Sequence, residues 1–553
     1  MVRPCRQCKR REDEIAGLRE ELAGVREQLC LLGAERDELA ARLASSEAAR
    51  EKLGGERDRL AARLKHQLRH RFGRHSERGG QRGEDGEERP ADNTGAASGK
   101  TKRRRGQQPG RPSPRRRSYE HLPTEEVPHD FAERPCCPHC GEPYEPFDEQ
   151  SYEEIHFEVR IVRRLHKRAS YRRRCRCVQT AGVVTAPSPP KPIKKGRLSI
   201  GFLARLVYYK FGLGLPLSRI VALLGVEGAR FSPSSLAGAL NQLGGLISPL
   251  AEEIRSHNSA DPHLHVDETS WKVFVLVEGK TNHRWWLWVF VGNDSVAFYL
   301  KPSRGRDVAI EHLGLEKNDD GRLELPGGRE LLLCSDFYST YQSLGAEVEG
   351  LHNAWCWAHI RRYFLRCGDG HAVCRAWSQA WVCRIRALYR SYHRFVSAET
   401  GSPVEAEALA DCRGVIAEMD QVRNVEATDP ELHEAARKVL ATLDHEWDGL
   451  VAFLEHPGID LDNNVAERYL RRPVVLRKGC YGSGSLASAR LAADAWSIFQ
   501  TFELARWNPQ RTLEAFLEAS ARAGSALQGD ELGAFLPWEA GEDASSSLKN
   551  VPP

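Results

Sequence analysis

The stretch His265-Val266-Asp267-Glu268-Thr269-Ser270-Trp271-Lys272-Val273 (HVDETSWKV) marks where the chain changes period. Upstream, apolar residues recur at helical spacing; from Leu264 onward they cluster and alternate as strands do. Asp267 ends the apolar piece Leu264-His265-Val266, and Asp336 follows a second apolar run, Leu331-Leu332-Leu333-Cys334-Ser335. A carboxylate at the end of a buried strand costs desolvation energy unless a positive charge compensates it, and Mg²⁺ commonly serves. A third acid, Glu467, sits in IDLDNNVAERYLRR, where Asp462 or Asn463 can cap a helix and Asn463 and Glu467 share one face. Three acids from separate elements can hold two hard cations about 3.5–4 Å apart for phosphodiester chemistry. Glu268 competes with Asp267, but a continuing strand turns it to the opposite face, so Glu268→Gln is expected to be silent in catalysis. On spacing alone these acids also read as solvated or capping residues.

Working outward, Trp271–Val277, Arg284–Val291, Val296–Leu300 and Leu331–Cys334 read as strands separated by turns. After His359 the pattern is helical to about Leu454. A compact mixed α/β core interrupted by a helical insertion follows. Upstream, residues 197–257 read as short helices broken at Gly212-Leu213-Gly214 and Gly225–Gly228, with Ser232 starting the next one. They suit a helix-turn-helix or a plain bundle. Trp285, Trp286 and Trp288 read as packing residues, not base-stacking platforms.

Near the N-terminus, Ile15, Leu22, Leu29, Leu43 and Leu64 form one heptad seam, and Leu18, Val25, Leu32, Leu39, Leu53 and Leu60 the other. This predicts a coiled coil that pairs chains; the alternative is an amphipathic helix lying on the protein's own body. Residues 79–117 are too polar, charged and rich in Gly and Pro to build a core. From Thr101 to Arg117 they carry eight basic residues and no acid. Arg103, Arg104, Arg105, Arg111, Arg115, Arg116 and Arg117 are therefore candidate phosphate contacts, Arg111 within a weak AT-hook-like Pro-Gly-Arg-Pro.

Cys137-Pro-His-Cys140-Gly followed by Cys175-Arg-Cys177 reads as a four-thiolate structural zinc site, the second pair tighter than usual. Cys136 and His139 are possible substitutes, and free thiols in a basic hairpin are the alternative. Arg172 and Arg173 make this module basic. Arg304, in Ser-Arg-Gly-Arg, and His359, Arg361 and Arg362, at a helix start, are further candidate phosphate contacts.

Composition sets limits. The chain has 553 residues, a formal net charge of +4 and 28% charged residues, so any nucleic-acid footprint must be local. Its N-terminus lacks the apolar core of a secretory signal, and Trp285–Val291 is too short to span a bilayer. Fifteen cysteines without an export signal suit thiols or metal ligands. A cytoplasmic, nucleoid-associated protein without membrane partners is expected.

The segments HVDETSWKV, CSDFYSTYQ (334–342), CWAHIRRYF (356–364) and DLDNNVAERYLRRPVVLRKGCYGSGS (460–485) resemble the insertion-sequence-sixty-six transposase family, a DDE group. LRHRFGRHSE (68–77) and GQQPGRP followed by HLP resemble its segment after the coiled coil and its basic linker. The resemblance covers most of residues 15–524. It implies an RNase H-like catalytic fold whose acid triad is Asp267, Asp336 and Glu467, with Mg²⁺ or Mn²⁺, two per site, and structural Zn²⁺. It further implies cleavage at element ends and transfer of the 3′-OH into target DNA. Asn463, Arg468, Arg477 and Lys478 join the expected DNA contacts. Partners would be element ends, target DNA, a second copy of the chain and accessory proteins of the same element. The expected organisation is a multidomain chain: coiled coil over 11–78, basic disordered linker over 79–120, zinc-binding module over 121–185 and helical DNA-binding region over 190–258. The α/β RNase H-like core then runs over 259–365 and 453–524, around a helical insertion over 366–452, with a disordered tail over 525–553. The competing reading is a catalytically inactive or domesticated zinc-finger DNA-binding regulator.

Overall fold

A computed structural model describes residues 183–275, 282–456 and 459–541, together with 124–129, 135–145, 154–156, 159–172 and scattered positions elsewhere. Among these residues the chain divides into two compact units, one drawn from Met1–Glu84 and Trp357–Leu461 and the other from Asp85–Cys356 and Asp462–Pro553. No described helix is long and apolar enough to cross a membrane. Of the heptad positions, Ile15, Leu22, Leu39 and Leu43 are described, each helical and exposed, and the remaining seam residues lie outside the described residues.

The larger unit begins with a hairpin, β1 (Ser170–Arg172) against β2 (Val183–Thr185). Three helices follow: α1 (Ile200–Val207), α2 (Leu217–Val226) and α3 (Pro233–Ser259). A π-helical turn, Tyr208–Gly212, extends α1, and the helix break falls at Gly214, where φ is +69°. Ser232 starts α3 as its spacing predicts, its hydroxyl accepting from Ser235 N at 3.1 Å.

Then comes the sheet. β3 (His263–Lys272), β4 (Arg284–Val291) and β5 (Val296–Lys301) form an antiparallel meander. After α4 (Asp307–Leu313), two short strands β6 (Glu316–Lys317) and β7 (Leu323–Glu324) lead to β8 (Leu331–Ser335). α5 (Ser339–Glu347), β9 (Val348–Glu349) and β10 (Leu351–Trp355) complete this part. The central order is β10-β8-β3-β4-β5, with β8 parallel to both β3 and β10; β6, β7 and β9 make a small separate sheet. The two strand pieces expected around Asp267 are one continuous strand, β3.

In the smaller unit, α6 (Trp357–Gly370), α7 (Arg375–Val396), α8 (Pro403–Ala427), α9 (Glu434–His445) and α10 (Trp447–Val451) follow one another. Phe364 stacks on Trp381 with ring centroids 5.0 Å apart, and the indole N–H groups of Trp377 and Trp381 both donate to Glu426 Oε2 at 2.7 Å. Buried polar tips are thus satisfied within the bundle.

The larger unit resumes with α11 (Asn464–Cys480), α12 (Leu486–Leu504) and α13 (Pro509–Ala523). Pro473 within α11 cannot bond back to the Tyr469 carbonyl, which instead accepts from Gln500 Nε2 at 3.3 Å. α12 is buried on all sides from Leu491 to Thr501 and packs against α3 and β5. Ser497 and Thr501 accept the outward amides of edge strand β5, Phe298 N at 2.9 Å and Val296 N at 3.0 Å. Arg255 of α3 donates to Phe298 O at 3.0 Å and pairs with buried Asp494 at 2.7 Å.

The tail corrects an expectation. Instead of being disordered from 525, the chain through Gly541 is placed, with Leu527, Leu532, Phe535 and Leu536 joining the core. Phe535 meets Phe516 edge-on at 5.3 Å, and Trp538 stacks on His257 at 3.7 Å. Apolar residues at these spacings supply enough buried area to hold a polar segment down.

Candidate active site

Asp267 lies on β3, one strand away from Asp336. The parallel register pairs His263 with Leu332, Leu264 with Leu333 and His265 with Cys334. Carried forward by two residues, the same register sets Asp267 opposite Asp336, just beyond the end of β8. Alternation puts His263, His265 and Asp267 on one face of β3, and Cys334 and Asp336 on the same face of β8. Two rungs result: imidazole and thiol below, carboxylates above.

Glu467 reaches this place through its helix. Asp462 Oδ1 accepts Asn464 N at 3.0 Å, starting α11. Asn463, buried, uses its side chain differently: Nδ2 donates to Val266 O at 2.7 Å, and Oδ1 lies 3.0 Å from His265 Nδ1. Its backbone N–H donates to Cys356 Sγ at 3.2 Å. The first turn of α11 is thereby held to the peptide preceding Asp267, and Glu467 N donates back to Asn463 O at 3.3 Å.

The electrostatics agree. The Asp267 carboxyl is raised well above the ordinary range, first by burial and then by the negative charges of Glu268, Asp336 and Glu467; the Glu268 amide, 2.8 Å from Oδ1, opposes this. Asp336 Oδ1 accepts Tyr338 N at 3.0 Å. A carboxylate whose proton affinity is raised by burial and by neighbouring carboxylates suits a hard divalent cation, which removes the repulsion. Asp267, Asp336 and Glu467 therefore fit the metal that their pattern implies. Burial lowers the His265 pKa and so disfavours the charged imidazolium.

Glu268 turns to the opposite face, as alternation requires, but it is far from solvent. Its side chain is 2% exposed and is gripped by Arg304 through Nε at 2.7 Å and Nη2 at 2.6 Å, while the Tyr341 hydroxyl donates to the other oxygen. Arg304 is sandwiched between Tyr338, 3.9 Å away, and Trp286, 4.7 Å away. Besides lying on that face, Glu268 anchors a buried ion pair. Sequence reasoning missed this role; the only signal was an Arg in a Gly-flanked turn.

The other expected contacts are placed as follows. Arg477 is tied to β3, donating to Thr269 Oγ1 at 3.0 Å and to the Ser270 carbonyl. Arg468 and Lys478 are exposed on α11, and Arg172 is exposed on β1. His359, Arg361 and Arg362 lie in the first turns of α6, in the smaller unit. Cys137 and Cys140 occur in a turn where Gly141 has φ +80° and donates to Cys137 O at 2.9 Å. Backbone N–H groups of His139 and then Cys140 lower the Cys137 thiol pKa, as a metal-binding knuckle would. Cys175, Cys177, Arg173, Arg103, Arg104, Arg105, Arg111, Arg115, Arg116 and Arg117 lie outside the described residues.

The uncharacterized protein y4qI of Sinorhizobium fredii is 26% identical over 384 residues, covering 66% of each chain. The uncharacterized protein y4hP of the same organism is 24% identical over 408 residues, covering 68% of this chain and 69% of its own. This chain thus spans about two thirds of the length of these relatives. The sequence pattern described as "Transposase IS66 family" matches residues 195–491, from the helices through the sheet to α12. With that match spanning more than half of its length, the chain belongs to the IS66 family of transposases.

Proposed function

We propose that this protein cuts DNA at the ends of a mobile element and joins the freed 3′-OH to target DNA, with Asp267, Asp336 and Glu467 as its catalytic carboxylates. One observation carries the reading: the shared register of Asp267 and Asp336, with the Glu467 helix hydrogen-bonded to the peptide before Asp267. Strand order and polarity, three antiparallel strands joined to two parallel ones, support an RNase H-like core.

When bound, two Mg²⁺ or Mn²⁺ ions would supply charge stabilisation for the attacking and leaving oxygens. The chain's own residues arrange that place. Asp267 and Asp336 present oxygen donors from neighbouring strands. Glu467 closes the set from a helix whose start Asn463 holds fixed. Arg477 holds the same helix to β3 nearer its C-terminal end. The exposed Arg468 and Lys478, the basic linker and the Arg172 hairpin are proposed phosphate contacts. The Cys137–Cys140 turn is proposed as half of a structural zinc site, completed by Cys175 and Cys177. The N-terminal heptads are proposed to pair chains, with accessory proteins of the element as further partners.

Asp267→Asn, Asp336→Asn and Glu467→Gln should each abolish strand cleavage and joining on labelled element ends while end binding persists. Each removes one negative charge at nearly constant volume, so the loss should reach orders of magnitude in rate. Near-wild-type cleavage by Asp336→Asn in Mg²⁺ would sink the assignment.

A further inference from the structure

We propose that His263, His265 and Cys334 form a second cation site, for a borderline-soft divalent ion of the zinc type, on the rung immediately below the carboxylates. His265 and Cys334 are register partners on adjacent parallel strands, and His263 is two residues before His265 on the same face. One ring nitrogen from each histidine and Cys334 Sγ all lie within 4.8 Å of one another. His263 Nε2 is 3.2 Å from Cys334 Sγ, and the two imidazole centroids are 4.9 Å apart. His265 and Cys334 are buried while His263 is half-buried, which gives the group a wet side from which an ion can enter.

The hydrogen bonds around His265 set its tautomer. Asn463 Nδ2 donates to the Val266 carbonyl, so its Oδ1 must be the atom facing His265 Nδ1, and an amide oxygen can only accept. The proton therefore resides on Nδ1, and Nε2 is the basic nitrogen. A carbonyl-type acceptor behind a ligating imidazole is the arrangement that orients histidines at metal centres.

Donor chemistry separates the two rungs. Two imidazoles and a thiol suit zinc-like ions, whereas the carboxylates of Asp267, Asp336 and Glu467 suit Mg²⁺. On binding, the Cys334 thiol releases its proton to solvent, the thiolate and two neutral imidazoles donate electron pairs to the ion, and water can take a fourth position. The bound ion would clamp β3 to β8 and, through His265 and Asn463, to α11. The two strands and the helix so joined carry Asp267, Asp336 and Glu467.

The test uses the full-length chain carrying Cys137→Ser, Cys140→Ser, Cys175→Ser and Cys177→Ser, which removes the other proposed thiolate site. After chelation, Co²⁺ is titrated as a spectroscopic stand-in for zinc. A thiolate-to-cobalt charge-transfer band with visible bands of tetrahedral intensity is expected, and both should fade on adding Zn²⁺. Cys334→Ala should abolish the charge-transfer band, and His263→Ala should weaken Co²⁺ binding at least roughly tenfold. His263 is only half-buried, so its variant decides the matter if Cys334→Ala fails to fold. An undiminished band in Cys334→Ala, unchanged affinity in His263→Ala, or no band in a background protein with wild-type circular dichroism and melting overturns the proposal. Carboxylate-bound Co²⁺ gives no thiolate band, so Mg²⁺-dependent cleavage reports on the upper rung separately.

Discussion

Asn463 Nδ2 donates to the carbonyl of Val266 at 2.7 Å, joining the start of α11 to the residue immediately before Asp267. Through this one amide, the elements carrying two of the proposed catalytic acids, Asp267 and Glu467, 200 positions apart in the chain, are held together. It follows that the site should be sensitive to a residue that itself carries no charge.

Asn463→Ala should leave the Val266 carbonyl and the His265 ring without these partners. The cost in stability is about 1–3 kcal/mol per unsatisfied group. Cleavage should fall about 10–100-fold, as for other residues that orient ligands, while end binding measured by gel shift stays within about twofold, because Asn463 is buried. Loss of binding parallel to loss of cleavage would instead make Asn463 a DNA contact.

Glu268→Gln should be destabilising rather than silent. It leaves Arg304 packed between Tyr338 and Trp286 with half its ion pair removed. Breaking a buried pair costs about 3–5 kcal/mol, and the partial exposure of Arg304, 38%, places the expected loss toward or below the lower end of that range. Urea unfolding measures it. Arg304→Ala should be destabilising too, and should leave the salt dependence of DNA binding unchanged.

Removal of divalent cations offers a third test. Mg²⁺ should raise the melting temperature of the wild-type protein, by the equivalent of about 2.7 kcal/mol at a hundredfold excess over its dissociation constant. The same addition should do little for Asp267→Asn. Equal stabilisation of both proteins would place the cation elsewhere.

His312 predicts an acid limb. Complete burial lowers its pKa from 6.5 to about 3, with Tyr299 Oη 2.9 Å from Nδ1 and Phe290 stacked at 4.0 Å. The folded state thus refuses a proton that the unfolded chain accepts. Stability from this group is complete above pH 6.5 and is lost as pH falls toward about 3. The slope approaches about 1.4 kcal/mol per pH unit. His312→Phe should flatten the melting-temperature profile between those values relative to wild type.

Local chemistry made much of this fold legible. β4 runs over Arg284–Val291, the bounds that its apolar run suggests, and Ser232 caps the helix it precedes. β10, Leu351–Trp355, was not legible: His352 and Asn353 interrupt its apolar pattern, and pairing with β8 decides its state. Asp267 and Asp336 were recognisable as acids at strand ends, but their common register is a tertiary property. So is the destination of the Asn463 amide, since a residue beside a helix start reads first as a cap. The tail from 525 misled because polar composition masked four well-spaced apolar residues.

The hydroxyls of Ser497 and Thr501 have a consequence for assembly. By accepting the outward amides of Val296 and Phe298, they close the β5 border to any incoming extended peptide. A second copy of the chain cannot lengthen the sheet on that side by strand addition. The same closure protects the border from edge-to-edge aggregation, a hazard for a chain whose β4 is as apolar as Trp-Trp-Leu-Trp-Val-Phe-Val.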